Sequence, residues 1–320
     1  VAAMKKKVYI HIGAHKSAST LIQQNMRENR ALFRERYDLD YLLVEDLVDT
    51  PFIRHFRAIA NTEKAMSEHS FFDSVEKTRE YIDEAIRLSP CGKILISWEG
   101  ILGHSALDRY QGIYTHVKAV SESLKAIFKN QDCRVVLIVR KQDSFIESCY
   151  LQQIKEGRTL SFQEFIESID IHRISWCNIA DTLESDFGED FGVVPFESIT
   201  ILGAKLFLGS FFNFLMGEKI DMEEVALIEN ANSGLSARGV DISREILPYI
   251  SEKNLRAMKK LIFAEFNSSK LGKASFFDGF TRALIKKANA EGNRELYIRY
   301  FSEFISSAGM ESDTLKAYWL

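Results

Sequence analysis

Cysteine is scarce in this chain. Cys91, Cys133, Cys149 and Cys177 are the only four in 320 residues, and their separations match no metal-binding spacing. That excludes a disulfide framework and a zinc ribbon, and a reduced, intracellular protein is the simpler expectation. Gly/Ser-rich linkers, internal repeats and low-complexity tracts are also lacking, so nothing in the sequence divides it into strings of modules. Neither sign of charge dominates. Forty-one Lys and Arg stand against 45 Asp and Glu, a net charge of −4. Broad binding of nucleic acid or of an acidic membrane is therefore not expected, although a local basic pocket is compatible with the balance. The opening VAAMKKKVYI has charges but no apolar stretch of signal-peptide length, which points to a cytoplasmic location.

Long hydrophobic runs are limited to one, ITILGAKLFLGSFFNFLMG from Ile199 to Gly217. It approaches the length needed to span a bilayer. Lys205 lies well inside it, at a cost of roughly 2.5–3.5 kcal/mol near the centre of a membrane helix. Ser210 and Asn213 weaken it further. The expectation is a buried helix and no integral membrane segment.

What is present is the balance of a globular protein, 46% apolar and 27% charged residues. The length allows one large domain, or a core with an appended helical part. The chain is organised around KVYIHIGAHKSASTLIQQ, Lys7 to Gln24. Val8, Tyr9, Ile10 and Ile12 predict a buried strand, and Gly13 opens a turn. His15, Lys16, Ser17, Ala18, Ser19 and Thr20 make a small polar loop. Leu21, Ile22, Met26, Leu32 and Phe33 then recur at helical spacing. A loop leading into a helix N-terminus presents unpaired backbone N–H groups, and the helix dipole favours an anion there. The hydroxyls and Lys16 add donors and charge. These residues describe a phosphate cradle.

The cradle departs from the ATP and GTP loop GxxxxGK[ST]. Gly13 and Thr20 fit that pattern, but Ala18 and Ser19 stand where its second glycine and lysine belong. The lysine has moved forward to Lys16. A magnesium-using NTPase also needs an acidic residue at the end of a later strand. The best later strand, Val135 to Val139, ends in Arg140 instead. The pattern asks for a ligand with two separate anionic groups and no obligatory metal.

Along the rest of the chain, Asp38 to Phe72 has mixed periodicity, a break at Pro51 and a cluster of Arg54, His55 and Arg57. It reads as an inserted lid, either acceptor-binding or merely solvated. Val75, Ile82 and Ile86 predict a helix ending at Ser89-Pro90. Lys93 to Trp98 is a second strand, followed by Glu99 and, five residues on, His104. An amphipathic helix through Val117–Phe128 leads to a third, continuously apolar strand, Cys133 to Val139, as expected of a strand covered on both faces. Helices follow from Ser144 to Glu156, about Phe162–Ile169 and through Trp176–Leu183. Phe191 to Phe196 is a short strand, and from Ile199 onward the pattern is mainly helical. Alternating strands and helices imply an α/β fold, a central parallel sheet flanked by helices with a largely helical C-terminal part. A single domain over 1–320 is expected, with an α/β nucleotide-binding core at 1–217, the lid at 38–72 and a helical extension at 218–320. Ligands of such sheets bind beyond the carboxyl ends of the strands. The 13–20 loop, Glu99 and Arg140 then share one rim.

A second informative stretch is RKQDSFIES, Arg140 to Ser148. Arg140 ends a strand, and Ser144 and Ser148 share one helix face at i and i+4. Arginine can grip a phosphate through two parallel N–H bonds, and a serine can donate a third. Ser144-x-x-Glu147 also reads as a capping box. Together the two stretches resemble the sulfotransferases that use 3′-phosphoadenosine 5′-phosphosulfate (PAPS), with the closest likeness to bacterial enzymes carrying an HKTGTT-type loop, several of which modify polysaccharides. The resemblance covers roughly the first two hundred residues and is carried by these two motifs.

The resemblance implies a P-loop-like sulfotransferase fold and transfer of a sulfuryl group to an acceptor hydroxyl, with a carbohydrate as the expected partner. PAPS is the implied cosubstrate and 3′-phosphoadenosine 5′-phosphate (PAP) the product, with no metal. It implies that Lys16, Ser17, Ala18, Ser19 and Thr20 hold the 5′-phosphosulfate, and that Arg140 and Ser148 hold the 3′-phosphate. Ala18, where the family loop has glycine, can offer its N–H but does not adopt φ > 0 cheaply. Asn232 to Gly239 is faintly similar to the family's C-terminal nucleotide loop. This makes Arg238 a candidate, against the alternative of an exposed charge in a helix capped by Ser236. Lys16 is suited to neutralise the leaving phosphate. Glu99 is the candidate general base, with His104 and His15 as rivals, or else a carboxylate paired with Lys16 or Arg140. His11, Trp98 and Trp176 read as packing residues, the tryptophans with sugar stacking as the other option. A non-catalytic nucleotide-binding protein and a P-loop kinase for a small metabolite are the alternatives.

Overall fold

The computed structural model describes residues 5–60, 67–171, 174–229 and 234–320. Five strands form one sheet: β1 (Lys7–His11), β2 (Leu39–Leu42), β3 (Lys93–Ser97), β4 (Asp132–Val139) and β5 (Phe191–Pro195). Their order is β2-β3-β1-β4-β5, and every pairing is parallel. The α/β class with a central parallel sheet is as expected. The three strands whose ends carry the candidate residues, β3, β1 and β4, are immediate neighbours.

Alternation along the strands explains why both faces are covered. Val8 and Ile10 of β1 join Ile94, Ile96, Val135, Leu137 and Val193 in one buried cluster. Tyr9 joins Leu39, Tyr41, Leu95, Val136, Ile138 and Val194 in the other. Successive side chains of a strand point to opposite faces, so a two-sided core needs near-continuous apolar strands. Helices Pro51–Ile59, Glu68–Leu88, Val117–Ile127, Gln142–Glu156 and Trp176–Phe187 contribute to the first cluster. Helices Ser19–Glu28 and Ser198–Met216 contribute to the second.

The hydrophobic helix Ser198–Met216 has the length and mean hydropathy, 1.6, of a membrane span. In this fold it buries Phe207, Leu208, Phe211, Phe212 and Leu215 in the second cluster, and Lys205 pairs with Glu223 at 2.7 Å. Gly203, at φ 75°, breaks its first turns. From Ala237 onward the chain is mainly helical, and beyond residue 218 no sheet strand occurs among the described residues. They share the same core: Leu235, Val240, Ile262, Leu296, Phe301 and Trp319 belong to the first cluster.

The 38–72 segment departs from expectation. Residues 39–42 form edge strand β2, paired to β3, rather than part of an inserted lid. Its pattern is obscured by Asp40, which is 2% exposed and takes Arg30 at 3.0 Å and Arg34 at 2.8 Å. The helix after Pro51 buries Phe52, Ile53, His55 and Phe56, so His55 is not part of an exposed basic cluster with Arg54 and Arg57. Residues 61–66 of the segment lie outside the described residues.

His55 is wholly buried, with Ser74 Oγ at 2.9 Å from Nδ1 and Ser123 Oγ at 2.9 Å from Nε2. His11 is also wholly buried, as expected, with Nδ1 2.8 Å from Ser97 Oγ. Burial lowers the pKa of each to about 4. An unfolded chain binds these protons near pH 6.5 and the native chain does not, so stability is intact above pH 6.5 and falls as pH drops toward 4. At pH 4.5 each histidine costs of order 2 kcal/mol relative to pH 7. Urea unfolding at the two pH values measures this, and His55→Gln, which keeps polar contacts with the serines but does not titrate, should flatten the profile. An unchanged pH dependence in that variant would remove His55 from the linkage.

Candidate functional site

Beyond β1 the chain continues the sheet for three more residues. Ile12 N–H donates to Val136 O (3.1 Å), Ala14 N–H donates to Ile138 O (2.8 Å) and Ile138 N–H donates to Gly13 O (2.6 Å). Gly13 has φ +110°, and a Cβ there would lie 3.1 Å from both Cα and Cβ of Glu99. Glycine is needed for both reasons, and it lets the turn after β1 press against the end of β3.

The loop then turns through two left-handed residues, Lys16 (φ 60°) and Ala18 (φ 64°), and Ala18 caps the helix Ser19–Glu28. Ala18 does adopt the conformation that alanine disfavours. Such outliers collect at functional loops. The Ser17 hydroxyl bonds His15 O (3.3 Å), and Ser19 bonds Ala14 O (3.4 Å), both within the loop. Ser17 and Ser19 are buried, Lys16 and Thr20 exposed. Thr20 Oγ1 and the backbone N–H groups of residues 16–21 donate to no described group. A curled backbone with free N–H groups at a helix start is an anion-binding concavity.

The second motif meets the first. Arg140 Nη1 donates to Lys16 O at 2.8 Å and Arg140 Nε to Ser144 Oγ at 3.1 Å. Its guanidinium lies 4.7 Å from the centre of the Phe196 ring. Trp176, buried, donates its indole N–H to Arg140 O at 2.7 Å, so Trp176 is a packing residue that fixes the end of β4. Trp98 is half-buried against Phe52, ring centres 6.2 Å apart. Lys16 Nζ reaches Gln152 Oε1 at 3.3 Å, which ties the loop to the helix Gln142–Glu156. Neither Lys16 nor Arg140 forms an ion pair with a described residue. Loss of hydration lowers the pKa of both, and the nearby cations Lys155 and Arg140 depress Lys16 further.

Ser148 is half-buried and its hydroxyl has no hydrogen-bond partner among the described residues. Ser144 does not form the expected capping box. The helix starts at Gln142 with Lys141 at its cap, and Ser144 Oγ bonds Lys141 O at 3.1 Å. Glu147 is occupied elsewhere, by Arg282 at 2.8 Å and by the N–H groups of Phe276 (2.8 Å) and Phe277 (3.2 Å).

Glu99 is half-buried in a short 3₁₀ turn after β3. It pairs with neither Lys16 nor Arg140. Gln23 Nε2 donates to its Oε2 at 3.0 Å and to Ser97 O at 3.1 Å. The other base candidates are engaged differently. His104 Nδ1 accepts the Ala106 N–H at 3.1 Å. The Tyr114 hydroxyl accepts the His15 N–H (2.9 Å) and stands 3.1 Å from His15 Nδ1, to which its own proton is available. The Nδ1 of each ring is therefore already engaged, by the backbone in His104 and by the Tyr114 hydroxyl in His15. Burial, with His104 and Lys16 adding, lowers the His15 pKa to about 3.

Arg238 is exposed in the first turn of helix Ala237–Ile246, whose cap Ser236 accepts the Gly239 N–H at 3.1 Å. It forms no hydrogen bond with Arg140 or Ser148, and Asn232 and Ser233 of that stretch lie outside the described residues. Sequence reasoning missed Gln23, Gln152, Tyr114 and Phe196. Gln23 and Gln152 sit one helical turn after Ser19 and Ser148, a spacing that places them on the same faces.

No family model, curated protein or solved structure matches the chain.

Gly13→Ala should lower unfolding stability by about 2 kcal/mol or more, because the left-handed φ and the contact with Glu99 penalise the added Cβ together. Denaturant unfolding measures it. A loss under about 0.5 kcal/mol would contradict the close packing of the two turns.

Proposed function

We propose that the chain is a PAPS-dependent sulfotransferase of P-loop-like fold that sulfates a hydroxyl, with a carbohydrate as the acceptor. The supporting observation is one rim carrying three unlike groups on adjacent strand ends. These are a loop of free N–H groups with Lys16, a carboxylate without a cationic partner, and Arg140 just before the helix that carries the unpartnered Ser148. A ligand with two anionic groups and a reacting hydroxyl between them uses all three.

In this reading the loop donors and Lys16 hold the 5′-phosphosulfate, while Arg140 and Ser148 take the 3′-phosphate. The acceptor oxygen attacks sulfur as the bond from sulfur to the bridging phosphate oxygen breaks. Glu99 takes the acceptor proton, and PAP leaves with the charge developed on its 5′-phosphate. Lys16 and the helix N-terminus stabilise that charge where it appears. Gln23 turns the Glu99 carboxylate by occupying one oxygen and leaving the other for the acceptor. Glu99 is preferred over His15 and His104 because the Nδ1 of each imidazole is already engaged, while only one Glu99 oxygen is taken, by Gln23.

Calorimetric titration with PAP in the presence of a chelator, beside ATP with magnesium, tests the nucleotide half. PAP should bind and ATP should bind far more weakly; the reverse preference returns the kinase reading. Arg140→Ala should weaken PAP by about tenfold or more, the worth of one charge-assisted phosphate contact, while adenosine 5′-phosphosulfate changes little. Equal weakening of both would sink the 3′-phosphate assignment. With PAPS and a panel of glycans, Glu99→Gln should cut turnover by roughly a hundredfold or more with PAP affinity preserved. Unchanged turnover removes Glu99 from the chemistry, and PAP binding without turnover in the unmodified protein favours the non-catalytic reading.

A further inference from the structure

An open cavity of about 450 Å³ lies among the C-terminal helices and shares no lining residue with the strand-end site. Its wall is a stripe of the helix Gly279–Leu296: Lys286, Ala290 and Arg294, each four residues from the next and so on one face. Ala290 leaves a gap between the two cations. Lys316 enters from the helix Ser312–Trp319. The apolar part comes from Tyr297, Ile298, Trp319 and Leu320. Ile298 is 58% exposed, while Trp319 is 1% exposed and its indole N–H has no acceptor among the described residues.

The charges here are unlike those around them. Arg282, one turn before Lys286 on the same helix, is paired with Asp143 at 2.7 Å and Glu147 at 2.8 Å. Arg299, just beyond, is paired with Asp181 at 2.7 Å and Glu184 at 2.5 Å. Lys286, Arg294 and Lys316 are exposed and pair with no described carboxylate, and no acidic side chain lines the cavity. In a chain with more acidic than basic residues, three solvent-exposed cations without ion-pair partners create a local positive field at this cavity, which favours an anion. The backbone is also irregular at this place. Residues Tyr297–Phe301 form a π-helical turn, a feature concentrated at functional sites, and Tyr297 Oη bonds Ser312 O at 2.8 Å to hold the last helix across the cavity.

We infer that this cavity binds one small anionic amphiphile, with a carboxylate, phosphate or sulfate head on Lys286, Arg294 and Lys316 and an acyl or aromatic body against Tyr297, Ile298 and Trp319. The volume lies within the roughly 300–1,000 Å³ of small-molecule sites, and the charge complementarity selects an anion. The inference is independent of the proposed transfer reaction.

Calorimetry of the whole chain with laurate below its aggregation concentration tests it, beside dodecanol and dodecyltrimethylammonium. Laurate should bind one to one, and the uncharged and cationic probes at least about tenfold more weakly. The double variant Lys286→Gln/Arg294→Gln should lose about tenfold in laurate affinity, and Ala290→Trp, which fills the gap, should abolish binding, with thermal unfolding of both unchanged. Dodecanol binding as tightly as laurate would overturn the anion site. So would full affinity in either variant. Retention on phosphatidylglycerol vesicles without binding of monomeric laurate would replace the cavity by a membrane-facing surface.

Discussion

The arrangement depends on the contact between Gly13 and Glu99. Two parallel strands end side by side, and the turn after one can lie against the turn after the other only where a side chain is missing. Gly13 supplies that absence. The three sheet-like hydrogen bonds that carry the chain from Ile12 to Ala14 along β4 hold the turn against the opposite neighbour at the same time. The loop is thus clamped between β3 and β4. Its left-handed residues Lys16 and Ala18 are held in place by structure on both sides, and this is how a strained backbone persists.

From that clamp follows the separation of charges on the rim. Lys16 and Arg140 lie next to each other, and each is tied by neutral partners: Gln152, Ser144, a backbone carbonyl and the face of Phe196. Most other buried charges in the molecule are neutralised internally, Asp40 by two arginines and Glu147 by Arg282 and two N–H groups. Breaking such a buried pair costs about 3–5 kcal/mol. On the rim neither cation forms an ion pair, although buried Glu197 acts on Arg140 from a distance, and Glu99 is oriented by an amide rather than silenced by a cation. Positioned donors that need no reorganisation are what a transferring anionic group requires. The C-terminal cavity repeats the same contrast between paired arginines and unpaired neighbours.

Much of this was legible in the residue pattern. Continuous apolar runs marked β1, β3, β4 and β5, and the shift from period two to helical spacing after Gly13 marked the loop between them. Strand β2 was hidden because Asp38 and Asp40 break its pattern, and only the approach of Arg30 and Arg34 makes a buried Asp40 tolerable. The apparent capping box at Ser144 failed for a similar reason. A local motif competed with a distant partner, and the salt bridge to Arg282 won Glu147. Gln23 and Gln152 carry no signal in isolation, since a glutamine on a helix is ordinary until something stands opposite it.

The sequence by itself determined the α/β class, the positions of the strand–loop–helix around Gly13 and of Arg140, and the burial of His11, because each rests on local periodicity or on a neighbour a few residues away. Tertiary structure alone decided which strand ends are adjacent, that Glu99 is held by Gln23 rather than by a cation, that the Nδ1 atoms of His15 and His104 are engaged, and that three exposed cations line one cavity among the C-terminal helices. Those outcomes depend on pairs separated by tens of residues, and local spacing holds no information about which distant groups come within hydrogen-bond reach.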